Sequence, residues 1–214
     1  MKHRHARPGL TELDARISSY ELAYRMQSAA LEVGSIDGES ESLRASYGLE
    51  HGDKEVRRFG RKCLLARRLV ERGVRFVQLY NMVDGIGWDA HSDLPGNHLK
   101  MARQCDQPIA ALLTDLKQRG LLDETLVIWA SEFGRTPMME GVRGRQHNAA
   151  GFTIWMAGGG VKPGRIGATD DLGLLAVDRP HGVKDLHATI LAALGLDNEE
   201  LSFPNQGREE RLTG

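Results

Sequence analysis

Apolar residues return at helical spacing from Val56 through Phe59, Cys63 and Ala66 to Val70, and the positions between them are filled largely by Arg and Lys. That pattern predicts an amphipathic helix with a solvated basic face, closed by Gly73 just past its end. Residues 74–80 (VRFVQLY) follow at once with the β-branched and aromatic content of an interior strand. The alternation then repeats. A helix is expected over 98–119, with Ile109, Leu112, Leu113 and Leu116 on its buried side and Gly120 ending it. Strands are expected over 125–130 and 152–157, then a glycine-rich turn (AGGGVKPGRIG) and a last helix over 184–195. Upstream, Leu13, Ile17, Tyr20, Leu22, Tyr24 and Met26 recur loosely at helical spacing, whereas residues 32–55 mix Gly, Ser and acidic side chains like a surface connection. Helices alternating with apolar strands predict an α/β fold, a mostly parallel sheet with helices on both faces. It is read as a single domain over residues 1–214, with 1–52 a helix and irregular lead-in.

Composition narrows this little. A chain of 214 residues supports one domain with a sizeable core. A net charge of -1 gives no electrostatic reason to expect nucleic acid or an anionic membrane as partner. No apolar run reaches the length of a membrane span, and the basic N-terminus (MKHRHARPGL) lacks the apolar stretch of an export signal. Cys63 and Cys105 lie within helical patterns and outside any CxxC spacing, so both are read as buried free thiols.

Candidate chemistry gathers where the strands end. In open α/β sheets ligands bind beyond the carboxyl ends of the strands. The expected strand 125–130 runs directly into Ser131, Glu132, Phe133, Gly134 and Arg135. Past the strand 74–80 lies GWDAHSD (87–93), where Asp89 and His91 stand two apart; in an extended segment they share a side and can converge on one cation. On spacing alone an Asx-type turn is the simpler reading. A third polar loop, GRQHN (144–148), supplies His147. Asp89, His91, Glu132 and His147 together suit a divalent metal such as zinc or manganese. Arg135, Arg143 and Arg145 add fork-shaped donors for an anionic oxygen, with Arg135 the best placed and Arg143 and Arg145 equally readable as solvated. His98 and His181 are read as supporting or surface groups, His187 as structural, and the glycines 158–160 as a tight turn without a phosphate-loop pattern.

The stretches GWDAHSD, LLDETLVIWASEFGRTP, GRQHNAAGFTIWMAGGGVKPG and DLHATILAALGLD resemble the successive motifs of DUF1501 proteins, relatives of the alkaline phosphatase and sulfatase superfamily. The resemblance implies an alkaline phosphatase-like fold. By position, Ser131–Gly134 matches that superfamily's SDHG segment, His91 the histidine of its middle loop, and His147 its late histidine. Phe133 stands where the superfamily has a ligand histidine, so a single ion is expected, and Asp89 takes the place of an aspartate four residues before the histidine. The superfamily's nucleophile sits on an N-terminal strand with no counterpart here, so the resemblance covers the C-terminal half only. It implies a metal-dependent hydrolase-like domain that acts, in complete form, on a small anionic phosphate or sulfate ester, with Arg135 stabilising developing charge and Arg145 binding substrate. The alternative is a non-catalytic domain that binds an anionic ligand or a partner chain. An uncovered sheet edge would favour a homo-oligomer or a separate N-terminal half.

Overall fold

The computed structural model describes residues 13–14, 16–21, 24, 34–81 and 87–211. Most of the helix expected between Leu10 and Leu31 lies outside them, though the described residues 16–21 are helical. The centre of the molecule is a helix pair, α2 (Lys54–Glu71) and α3 (Leu94–Gln118), preceded by a short α1 (Glu41–Ser46). Asp53 caps α2 by accepting from Glu55 N at 2.8 Å, and Asp93 caps α3, which has Pro95 in its first turn where a proline N–H is not missed. Phe59, Cys63 and Leu64 of α2 meet Cys105, Ala111, Leu112 and Leu116 of α3 in one buried cluster. The phenylalanine and leucine side chains of this cluster contribute about 1.5–3 kcal/mol of burial each.

The stretch read as an irregular lead-in belongs to this core. Tyr47, at the end of α1, is fully buried, and its hydroxyl donates to Asp115 Oδ2 at 2.9 Å. Gly60 makes the close approach possible, since a Cβ there would fall 2.0 Å from Tyr47 O. Arg67, 1% exposed, lies 2.7 Å from Glu39, 2.6 Å from Glu71 and 2.9 Å from Asp115. The expected surface arginine is therefore the centre of a buried charge cluster. Burial pushes the Cys63 thiol up to about 12 and the Cys105 thiol to about 11, as befits inert core cysteines.

The expected parallel, alkaline phosphatase-like sheet is not what forms. A 3₁₀ turn (Leu122–Glu124) leads into four separate antiparallel pairs: β1 (Val127–Trp129) with β4 (Trp155–Ala157), β2 (Gly134–Glu140) with β3 (Gly144–Asn148), β5 (Ala168–Thr169) with β6 (Ala176–Asp178), and β7 (Ser202–Asn205) with β8 (Arg208–Arg211). Parallel neighbours need a crossover, usually a helix. The link between β1 and β4 carries Gly134, Gly141, Gly144 and Gly151 and folds as a hairpin instead, so β4 returns antiparallel to β1. Residues 74–80 are not a strand: among the described residues, no main-chain partner lines up along 75–80, and Phe76 and Tyr80 face outward while Leu79 packs on the core. The last helix, α4 (Val183–Ala193), buries only Leu191, and His187 is exposed rather than packed into a structural role. Gly158, Gly159 and Gly160 all take positive φ, and Val161 N donates to Gly158 O, which makes the tight turn.

Candidate metal centre

Two stretches of chain build the site. Residues 87–93 are anchored by the first turn of α3, where Asn97 Nδ2 donates to Gly87 O at 2.9 Å and His98 Nε2 donates to Trp88 O at 3.0 Å. The Trp88 ring stands edge-on to Trp129 of β1 at 5.6 Å between centroids, so an aromatic wedge fixes the loop to the core. Its outer part runs beside the start of β3: Arg145 N donates to Ala90 O, Arg143 N to Ser92 O, and Leu94 N to Arg143 O, each at 3.1 Å. Gly144 permits this contact, because a Cβ there would lie 2.0 Å from His91 O. In the β2–β3 ladder Arg135 faces His147. The histidine is thereby delivered against the loop.

The result is a triangle of donor atoms. His91 Nε2 lies 3.0 Å from His147 Nε2 and 2.9 Å from Asp89 Oδ1, and His147 Nε2 lies 2.9 Å from the same oxygen. All three residues are exposed, so the triangle opens to solvent. On its other ring nitrogen, His91 meets Glu140: Nδ1 is 2.5 Å from Oε2. A carboxylate only accepts, so Nδ1 carries the hydrogen, and Nε2 is the nitrogen left to present a lone pair when the ring carries one hydrogen. That nitrogen and Asp89 Oδ1, which also accepts from Arg135 Nη2, are then two acceptors 2.9 Å apart with His147 Nε2 beside both. With metal–ligand bonds of about 2.0–2.2 Å, donors around one first-row divalent ion lie roughly 2.9 Å apart in octahedral and up to roughly 3.5 Å apart in tetrahedral placement, so the residues present fit one ion. The hydrogen bond from His147, helped by the Arg135 guanidinium against a smaller cost of burial, holds the Asp89 carboxyl down to about 2 and so ionised.

The remaining candidates are placed as follows. Arg135 touches Asp89 through Nη2 and donates from Nη1 to Arg145 O at 2.7 Å, so it borders the triangle and ties it to β3. Arg145 donates to Gly144 O at 2.8 Å, and Arg143 pairs with Asp93 at 3.1 Å. Glu132 is not brought into the group; it accepts from Ser131 Oγ at 3.1 Å. Phe133, at the position where the resemblance has a histidine, packs its ring against that of His147 at 4.1 Å between centroids. His98 holds Trp88, and His181 stands exposed, 4.0 Å from Asp185. Sequence reasoning overlooked Glu140. The one available signal was Gly141, a turn residue three positions before the GRQHN segment, a hairpin cue that would have set Glu140 beside that segment.

Among the described residues no helix is long and apolar enough to cross a membrane. No curated protein and no solved structure matches the chain. A family model described as "Protein of unknown function (DUF1501)" matches residues 1–214, and the chain belongs to the DUF1501 family.

Proposed function

We propose that this protein is a metal-dependent hydrolase acting on a phosphate or sulfate ester, with one divalent ion, zinc or manganese, held by Asp89, His91 and His147. The observation that carries the reading is the convergence of three donor atoms from two separate stretches of chain within 3.0 Å of one another. When bound there, the ion would polarise an ester oxygen. Arg135 supplies a fixed positive charge at the edge of the triangle, where an anionic ester would be met, and Asp89 is kept ionised by its neighbours. The ester class itself rests on the likeness of the 87–93 and 144–148 segments to loops of the phosphatase and sulfatase superfamily.

One observation favours a second reading, a non-catalytic domain that uses the same site to bind an anion. Two hydroxyls that flank Arg135 in sequence are engaged elsewhere, with Ser131 Oγ on Glu132 and the buried Thr136 Oγ1 on Met138 O at 3.3 Å. The two readings separate in one experiment. Protein loaded with zinc or manganese is assayed against p-nitrophenyl phosphate and p-nitrophenyl sulfate, alongside Asp89→Asn. Metal-dependent turnover abolished in the variant supports the hydrolase; stoichiometric metal without turnover of either ester supports the binding domain.

A further inference from the structure

The β2–β3 hairpin contains an irregularity that bears on His91. Arg135 pairs with His147, but Met139 pairs with Arg145, so three residues of β2 (136–138) are set against one of β3 (146). This bulge shifts the register and places Glu140 opposite Gly144. Gly144 is the residue against which the His91 carbonyl rests, with room for no Cβ. A carboxylate on β2 is thus carried by the bulge to the back of the His91 ring, where Oε2 meets Nδ1 at 2.5 Å, while Nε2 on the opposite edge faces Asp89 and His147.

We propose that Glu140 is a positioning residue of the metal centre: by accepting from Nδ1 of His91 it fixes the ring orientation and the tautomer that turn a lone pair on Nε2 toward the ion. The inference rests on the metal reading given above and adds to it a residue outside the triangle. An imidazole without such a partner rotates about its side-chain torsions and divides its hydrogen between two nitrogens, so only part of the population is ready to ligate. Glu140 removes both freedoms. It also makes the ring a stronger electron donor, because a negative group behind Nδ1 stabilises positive charge arriving at Nε2. Its side chain is 36% exposed and His91 is 43% exposed, so the pair lies at the surface, where loss of the carboxylate leaves no buried polar group unpaired. The effect of removing it is expected on the ion rather than on the fold.

The test compares wild-type protein with Glu140→Ala and Glu140→Gln. Zinc affinity is measured by competition with a chromogenic chelator, and the His91 tautomer in metal-free protein is read from long-range proton–nitrogen NMR correlations at mildly alkaline pH. Glu140→Ala is expected to weaken zinc roughly 10- to 100-fold, with Glu140→Gln, which keeps an acceptor but not the charge, in between. Hydrogen on Nδ1 should dominate in wild type and be shared between the nitrogens in Glu140→Ala, with the thermal midpoint of the metal-free protein unchanged. Wild-type protein that binds zinc, with Glu140→Ala within about twofold of it, overturns the role of Glu140 alone. Wild-type protein that binds no zinc overturns the metal reading and this role with it. A metal-free wild type with hydrogen on Nε2 of His91 overturns the positioning argument whatever the affinity.

Discussion

At the scale of single residues the site divides into groups that touch the proposed ion and groups that hold them. His147 belongs to the first class, with Nε2 at 3.0 Å and 2.9 Å from its two partners. Glu132 is a neighbour in sequence whose carboxylate is turned to Ser131. His147→Ala is accordingly expected to lower zinc affinity at least about 100-fold, whereas Glu132→Gln leaves it within about threefold, both measured by chelator competition. Equal losses in the two variants would restore Glu132 as a ligand. Much at this scale was legible. Asp89, His91 and His147 were readable only in combination, as strong ligand types in polar loops beside expected strands, since the Asp89–His91 spacing alone reads as an Asx-type turn. Glu140 was not, because its only distinction is a register shift in a hairpin that leaves no periodic mark.

At the scale of elements, long helices were readable and strand pairing was not. α2 and α3 announce themselves through apolar spacing and caps, but the start of α3 at Leu94 rather than residue 98 depends on Asp93 and Pro95, which the polar look of that loop concealed. Strands 125–130 and 152–157 were visible as apolar runs; their direction was set by the glycine-rich link between them, to which apolar periodicity is blind. Gly144 is where an element decides the site. Gly144→Ala would push a methyl group into the His91 carbonyl, so the loop must lift from β3 and carry His91 away from His147. The expected outcome is at least about tenfold weaker metal binding and about 1–3 kcal/mol lower stability in urea unfolding. Unchanged affinity would mean that the loop and the hairpin do not depend on their contact.

At the scale of the whole molecule, the helical core and the site are held by different forces. The core gathers apolar side chains around one buried guanidinium. Arg67→Ala would leave Glu39 and Asp115, with side chains 8% and 5% exposed, without their shared counter-charge. A loss of about 1–3 kcal/mol in urea unfolding is expected, because each carboxylate loses one buried charged partner while Glu39 keeps Arg68 and Asp115 keeps Arg119. A loss below about 1 kcal/mol would mean that the cluster is already hydrated. The β2–β3 hairpin, by contrast, buries only Thr136, Gly144 and Asn148. With so little apolar surface to hold it shut, the hairpin should open as its own unit without unfolding α2 and α3. An ion bridging His91 and His147 would staple that unit to the loop. Amide hydrogen exchange would then slow across residues 134–148 on addition of zinc and stay the same in the helices, making backbone protection a reporter of occupancy that needs no substrate.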